Sequence, residues 1–405
     1  MDPTTALVDA LDGPGSVAVL EQNFDFDLFN PSALLDRYIG KQVTVIHDPR
    51  FAGERETRET ARVLSTNGGI VLQYRDRIET ELRGHIAYPV SPKNFRDRPT
   101  LVLEMVSKRS GPQTLDLSYL TSGLSWHADY VGVLSPDEKR LSLTGLVTLS
   151  NMSGVSYDRA RLQLVAGNVN VIAPQELRTI ASVTSRSASD TYSPRSFSQE
   201  NYFEYHLYTL ARPTTILDKQ TKQIALLSAH NVPVQKTLEL RGVQDYYRTE
   251  SPDLGDRLPV SVYVTFENRG GELGVPLPGG IVRMYKNDSR QLSQFLGSDS
   301  IEHTPKNETV RLNLGNSFDV TARKHQTSFD NLGDCSADSS YEIDVSNAKA
   351  IPQNVLVVET IPGIWRILSE NSPHAKSSAS TANWKLTIPA DGRSTLIYTA
   401  RSSWC

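Results

Sequence analysis

Cysteine is nearly absent from this chain of 405 residues, which holds only Cys335 and the terminal Cys405. Two cysteines are too few for a disulfide framework or for a zinc site built on thiolates. They can form one bridge, which would enclose about 70 residues and stabilise the fold by roughly 4 kcal/mol. One alternative is a disulfide in an oxidising compartment and the other is two separate thiols. Both stay open at this point.

Long apolar runs and long blocks of one charge are also missing. The longest apolar stretches, such as 355–358, are far shorter than the roughly 18 to 20 residues of a membrane-spanning helix. The 42 Lys and Arg against 46 Asp and Glu give a formal charge of −4, which argues against the clustered basic surface of a nucleic-acid-binding protein. We therefore predict no membrane span and no nucleic-acid partner. The first residues show neither the charged nor the apolar region of a signal peptide.

Motifs of catalysis and cofactor binding are missing as well. The sequence contains no nucleophile elbow, no His-Glu-x-x-His, no phosphate loop, no dinucleotide fingerprint and no calcium loop. The nearest approach to an elbow, GNSFD at 315–319, lacks the second glycine and is interpreted as a turn. We predict no cofactor and favour a protein that is not an enzyme.

What the chain has in quantity is alternation of apolar and polar residues with a period of two, which places the apolar set on one face of a strand. Such alternation, punctuated by turns, is typical of antiparallel sheets. The clearest examples are 24–28, 141–143, 260–266, 310–314, 341–345 and 384–388. Three alternating segments run into an asparagine, at Asn151, Asn268 and Asn347. Asparagine suits a strand end because its amide bonds nearby backbone.

One helix is predicted at 30–40, with Asn30 as the cap, Pro31 at the first helical position and Gly40 as the stop. Several short apolar segments follow, two of them joined by the hairpin signal at 67–69. This order predicts a small α+β, barrel-like module at 31–90, inserted in a larger β domain; an irregular excursion is the alternative.

The predicted fold class is therefore mainly β, with two β-sandwich-like antiparallel domains and the small inserted module. We expect residues 1–30 and 91–243 to form the first sandwich and residues 244–405 the second. The serine-rich segment 181–199 is predicted to be a flexible loop. The polar, proline-containing segment 244–259 marks the boundary between the two sandwiches.

Glu204 and His206 are candidate metal ligands, because residues two apart on a strand share a face. His303 is a third candidate, and with Glu302 it is also a candidate acid–base pair. A structural Glu–His pair on the strand and a solvated loop around His303 are the competing interpretations. Both alternatives stay open.

Aromatic side chains gather in the middle of the chain and are candidates for a carbohydrate or peptide groove. Strands also favour aromatic residues for packing alone, so that alternative stands beside the first. The candidates are Tyr119, Trp126, Tyr130 and Tyr205, with Tyr157 and Tyr202 as further members.

Several segments resemble a bacterial domain-of-unknown-function family, which also forms the C-terminal half of mucoidy inhibitor A-like proteins. They are SYLTSGLSWHADY (118–130), LTGLVTLSN (143–151) and LVAGNV (164–169), with further matches at 19–24, 204–210, 221–224, 275–280 and 301–306. The resemblance covers nearly the whole chain, but the two cysteines match no motif of the family. Members usually carry a signal peptide and further N-terminal strands, so this chain looks trimmed.

The resemblance implies β-rich domains in a periplasmic, outer-envelope or secreted protein, and it brings no established reaction or ligand. We expect a non-catalytic protein that acts in binding or assembly, with an unknown protein or polysaccharide as its partner. Self-association is a further possibility. The alternative function is a metal-dependent or acid–base hydrolase using the Glu204/His206 or Glu302/His303 regions.

Overall fold

The computed structural model describes residues 2–25, 30–48, 55–82, 84–89, 100–167, 197–202, 205–251 and 254–405. Strands make up 64% of the structure and helices 3%, so the predicted mainly β, sandwich-like fold class is confirmed. No helix among the described residues has the length and apolar character needed to cross a membrane.

The described elements are one α-helix, two short 3₁₀ helices and 27 strands. The helix α1 is Pro31–Asp36, and the 3₁₀ helices are Pro3–Thr5 and Asp245–Tyr247. The first strands are β1 Leu7–Ala10, β2 Val17–Asp25, β3 Gln42–His47, β4 Thr57–Ser65, β5 Val71–Gln73, β6 Ile78–Glu79, β7 His85–Ala87, β8 Thr100–Ser107 and β9 Leu115–Ser118. Next come β10 Leu124–Leu134, β11 Arg140–Asn151, β12 Tyr157–Ala160, β13 Gln163–Ala166, β14 Phe197–Tyr202, β15 Tyr205–Leu210, β16 Thr214–Ile216, β17 Gln220–Arg241 and β18 Leu258–Glu267. The last are β19 Gly280–Asn287, β20 Ser293–Ile301, β21 Thr309–Gly333, β22 Ser336–Asn347, β23 Gln353–Thr360, β24 Ile364–Glu370, β25 His374–Ser378, β26 Thr381–Ile388 and β27 Gly392–Ser403.

The chain divides into two compact units, Met1–Ser122 and Gly123–Cys405. In the first unit β1 pairs with β9 and β2 with β8, and a five-stranded antiparallel sheet runs in the order β6-β5-β4-β3-β7. The helix begins as predicted, because Asn30 Oδ1 accepts a hydrogen bond from the Ala33 N–H at 2.8 Å. It ends at Asp36, so the predicted stop at Gly40 was wrong. Tyr38, Val45 and Leu72 belong to the core of this sheet. Its edge strands β6 and β7 do not pair with each other in the described residues, so the sheet is open.

The second unit contains a 13-stranded sheet that folds over two hydrophobic cores. Its main path runs β20-β19-β10-β11-β17-β18-β21-β22-β27-β24, and β23, β26 and β25 branch from β17. Two long strands join the parts: β17 pairs first with β11 and then with β18, and β21 pairs first with β18 and then with β22. The first core includes Tyr130 and Leu312, and the second includes Tyr341 and Trp384.

A buried asparagine closes each of three long excursions of the chain. Each excursion leaves one strand and returns to pair antiparallel with it, as β11 does with β17, β18 with β21 and β22 with β27. The side-chain amide donates to carbonyl oxygens at both ends of the excursion, which satisfies backbone groups that would otherwise be buried without a partner. The donors and acceptors are Asn151 with Val155 and Leu217, Asn268 with Val275 and Pro305, and Asn347 with Ile351 and Pro389, all at 2.7–3.0 Å.

The second and third excursions each return one strand to an earlier part of the sheet. β19 pairs in parallel with β10, beginning at Ala128 and Gly280, and β23 pairs in parallel with the second half of β17, beginning at Leu238 and Val355. The first strand of each of these excursions therefore pairs with a strand that comes before the excursion in the chain. Leu226 and Phe266 belong to one hydrophobic core. They lie on opposite sides of the predicted 243/244 boundary, so this core contains residues from both sides of it.

The predicted domain limits at 30/31, 90/91 and 243/244 stay predictions. The two compact units of the structure divide after Ser122. The predicted loop 181–199 lies outside the described residues as far as 196. Its last three residues were wrongly placed in a loop, because they begin β14, where Phe197 is buried in the first core.

Candidate functional site

The four aromatic residues predicted to line a groove are divided between the two compact units. Tyr119 is 40% exposed and belongs to the first unit, whereas the other three belong to the second. Tyr130 is fully buried and its hydroxyl donates to the Pro278 carbonyl at 2.8 Å, so its ring has the packing role of the competing interpretation. Trp126 packs against the first core, and Tyr205 lies against Gly167. Ligand binding by Tyr119, Trp126 and Tyr205 stays a prediction.

The two candidate metal ligands that the structure describes, His206 and His303, lie on different elements. Glu204 is outside the described residues. His206 is on β15, where its Nδ1 lies 3.1 Å from the amide nitrogen of Gln199. His303 follows β20, and its Nδ1 accepts a hydrogen bond from the Gly279 N–H at 3.0 Å. In the part of the chain that the structure describes, no group of three or more His, Cys, Asp or Glu side chains is placed to hold a metal ion.

The Glu302–His303 pair, proposed for acid–base chemistry, is exposed at the end of β20. Because Gly279 occupies the Nδ1 of His303, only the other ring nitrogen remains for proton transfer. The hydrolase alternative stays a prediction, because its other candidate site, Glu204 with His206, includes a residue outside the described ranges.

The structure instead brings together residues of four separate segments around an open cavity of about 480 Å³ in the second unit. The cavity lies where β22 ends at Asn347 and β27 begins. Its walls come from the segment before β18, the middle of β21, the end of β22 and the start of β27. The lining residues are Arg257, Phe318, Asp319, Thr321, Ser346, Asn347, Ala348, Asp391, Gly392 and Arg393.

A bulge in β21 carries the aromatic residue of this cavity to the surface. Between the pairs Pro259–Thr321 and Ser261–Asn316, β18 contributes one residue and β21 contributes four, 317–320. Bulges of this kind re-aim side chains and often lie beside functional sites. As a result Phe318 is 84% exposed, although its neighbour Val320 is fully buried.

Main-chain hydrogen bonds fix the walls on either side of Phe318. The Asp319 carbonyl accepts from the Ala348 N–H at 2.8 Å, and the Asp391 N–H donates to the Lys349 carbonyl at 3.0 Å. The buried amide of Asn347 joins this region to Ile351 and Pro389. The cavity therefore has a rigid floor beneath an exposed ring.

Two arginines and two aspartates line the same cavity as this ring. Arg257 and Arg393 are exposed, and within the described ranges neither guanidinium forms an ion pair or a hydrogen bond. Asp319 and Asp391 are exposed beside them. The lining thus offers hydrogen-bond donors, hydrogen-bond acceptors and an aromatic face, and its charged side chains carry no net charge.

A buried ion pair in the second core anchors the segment that carries Arg257. Lys324 Nζ lies 2.7 Å from Glu359 Oε1 and 2.7 Å from the Tyr246 hydroxyl. The Tyr247 hydroxyl donates to Glu359 Oε2 at 3.1 Å, and the Tyr246 hydroxyl bonds the same oxygen. Both charges are almost completely buried, so they need these partners to remain in the core.

Burial lowers the pKa of the Lys324 ammonium to about 8, although the Glu359 carboxylate opposes this shift. Burial also raises the pKa of the Tyr246 and Tyr247 phenols, and Glu359 adds to that effect. Downstream, the Ser251 N–H donates to Gln326 Oε1 at 2.6 Å and the Lys324 N–H to the Gly255 carbonyl at 3.3 Å. These contacts tie Ser251 and Gly255 to β21, close in sequence to Arg257.

Sequence reasoning missed Phe318, Arg257 and Arg393 as a group. The segment 315–319, interpreted from the sequence as a turn, instead lies within β21 at the bulge, with Gly315 at a φ of 98°. Its one large apolar residue, placed among polar ones where the alternation breaks, was the local signal for an exposed aromatic side chain. Nothing local links it to arginines about 60 and 75 residues away.

Comparisons of this chain with protein-family models, with curated proteins and with solved structures found no match.

Proposed function

We propose that this chain is a non-catalytic protein of the bacterial envelope or of the secreted fraction, and that it acts in binding or assembly. The observation that carries the proposal is the open cavity lined by Phe318, which is 84% exposed, together with Arg257 and Arg393. The cavity volume of about 480 Å³ falls within the usual range of ligand sites.

An exposed phenylalanine in this position lacks the favourable free energy of burial, and a bound partner that covered the ring would supply it. A phenyl ring left in water forfeits roughly 1.5–3 kcal/mol of burial free energy. Aromatic and arginine side chains are also enriched where proteins bind partners. Because the floor is fixed by main-chain bonds, binding would order little of the protein, which lowers its entropic cost.

The proposed compartment is supported by the disulfide between Cys335 and Cys405. Disulfides persist in oxidising compartments such as the periplasm and the extracellular space. The resemblance to the domain-of-unknown-function family points the same way, and membership of that family is part of the proposal.

The test compares the natural chain with Phe318→Ala and with Ile364→Ala, a matched control that is also 84% exposed. Each protein is titrated with neutral oligosaccharides, acidic oligosaccharides and extended synthetic peptides, and binding is measured by calorimetry. We expect at least one class to bind the natural chain and the control equally, and to bind Phe318→Ala about tenfold more weakly. Equal affinity of the natural chain and Phe318→Ala for a ligand, or no binding of any ligand class, would overturn the proposal.

A further inference from the structure

We infer that the Phe318 cavity takes an uncharged sugar unit of a glycan. This inference rests on the proposed function, because it names the class of ligand for the same site. The sugar would stack one face on Phe318 and direct its hydroxyls to the arginine and aspartate side chains that line the same cavity.

The exposed ring suits the apolar face of a pyranose. A sugar ring presents C–H groups on one side and hydroxyls around its rim, so it needs a flat apolar platform beside polar groups. Phe318 is such a platform, since the 317–320 bulge holds it outward and Val320 anchors the bulge in the core. Aromatic side chains bind in this way with little loss of conformational entropy.

The polar groups match the dual character of a hydroxyl, which both donates and accepts hydrogen bonds. Asp319 and Asp391 can only accept when ionised, whereas Arg257 and Arg393 can only donate. Thr321 and Ser346 add hydroxyls to the same wall. A ligand that is all acceptor or all donor would leave half of these groups without a partner.

The charge balance favours an uncharged ligand over an acidic one. Two guanidinium groups and two carboxylates line the cavity, so an added carboxylate would meet repulsion from Asp319 and Asp391 as well as attraction from the arginines. Hydrogen bonds from uncharged hydroxyls to these ionised groups carry no such penalty. The cavity is also open to solvent, which leaves room for the neighbouring units of a polymer.

The experiment uses the full chain and defined probes: neutral oligomers of glucose, xylose, mannose and N-acetylglucosamine, and uronic-acid oligomers of matched length. We expect one neutral series to bind with an affinity that changes less than twofold between 50 mM and 500 mM NaCl, because no net charge is neutralised. Phe318→Ala should weaken this binding about tenfold, and Ile364→Ala should leave it unchanged.

Asp319→Asn separates the two sugar classes. It should weaken a neutral sugar severalfold, because an amide oxygen is a poorer acceptor than a carboxylate, and it should strengthen an acidic sugar by removing repulsion. Binding of the uronic-acid series alone, strengthened by Asp319→Asn and lost at high salt, would overturn the inference while the proposed function stands. Peptide binding that depends on Phe318 would have the same consequence. Failure of every probe would overturn both.

Discussion

At the scale of single residues, the most unusual group is Lys324. It lies on the inward face of β21 between Ala322 and Gln326, all three of which are buried. Its Nζ lies 3.9 Å from the ring centre of Tyr246 and 4.5 Å from that of Tyr341, so the ammonium is held by aromatic faces as well as by Glu359. The pair fastens β21 to β23 across the core.

Removal of the lysine should be far more harmful than removal of the pair. Lys324→Met leaves Glu359 buried without a cation, so we expect the free energy of unfolding to fall by about 3–5 kcal/mol. The double variant Lys324→Met/Glu359→Gln removes both charges and should recover most of that loss. Urea unfolding at pH 7 measures the free energy of unfolding of the natural chain, the single variant and the double variant. A double variant no more stable than the single one would contradict this account.

The same variant provides the pH dependence. Between pH 8 and the ordinary lysine pKa near 10.5, the unfolded chain keeps the Lys324 proton that the folded chain has released. The contribution of Lys324 to stability therefore rises with pH through this interval. The tyrosines with raised pKa are present in the natural chain and in Lys324→Met, so their contributions to the pH dependence cancel in the difference between the two proteins. The stability difference between the natural chain and Lys324→Met should thus grow from pH 8 to pH 10, and a constant difference would exclude the lowered pKa.

At the scale of elements, the feature that organises the second unit is the parallel pairing of β19 and β23 with strands that come earlier in the chain. β19 can lie parallel to β10 only because its first residue is Gly280. A Cβ at this position would come within 2.1 Å of the Ala128 carbonyl oxygen, which is closer than any unstrained contact. The two strands therefore approach each other through a backbone that no other residue type allows.

Gly280→Ala should weaken this docking without altering the hairpin of β19 and β20 itself. We expect a loss of about 1–3 kcal/mol, typical of overpacking, together with faster amide exchange in β19 and along the β10 edge. Hydrogen-exchange mass spectrometry measures the second effect. Gly271→Ala is the control, since a Cβ there meets no atom within 4 Å. Equal exchange in the two variants would show that the contact is not needed.

Element by element, the sequence predicted strands well. The alternating segments 341–345 and 384–388 lie in β22 and β26, where every second residue is buried. The asparagines at Asn151, Asn268 and Asn347 were located as strand ends, but their far partners, 37 to 66 residues away, were not. The alternation is a local property of neighbouring residues, whereas the partner of a buried amide depends on how distant segments meet.

At the scale of the whole molecule, the last residues of the chain are bonded to Cys335, which directly precedes β22. Cys405 is joined to Cys335, 70 residues earlier, and the Trp404 N–H donates to the Cys335 carbonyl at 2.9 Å. This closes a loop that contains β22 to β27 in full. The loop closed by the disulfide therefore includes Asp391 and Arg393, which line the cavity.

Cys405→Ser should lower the free energy of unfolding by about 4 kcal/mol, because a loop of this length gains much chain entropy once it is open. Chemical unfolding in the absence of reductant measures the effect. The natural chain in excess reductant serves as the control and should show the same loss. If the two proteins unfold alike without reductant, the cysteines are separate thiols in solution.

The sequence by itself determined the mainly β class, the strand faces, the α1 cap at Asn30 and the choice of the strand-end asparagines, because each of these follows from residues a few positions apart. Only the tertiary structure decided that β19 and β23 lie parallel to earlier strands, that Lys324 meets Glu359, and that Phe318 lines the same cavity as two arginines and two aspartates. Those contacts join residues that are far apart in the chain. These contacts form because the bulge in β21, the buried asparagine amides and the parallel strands β19 and β23 bring distant segments of the chain together.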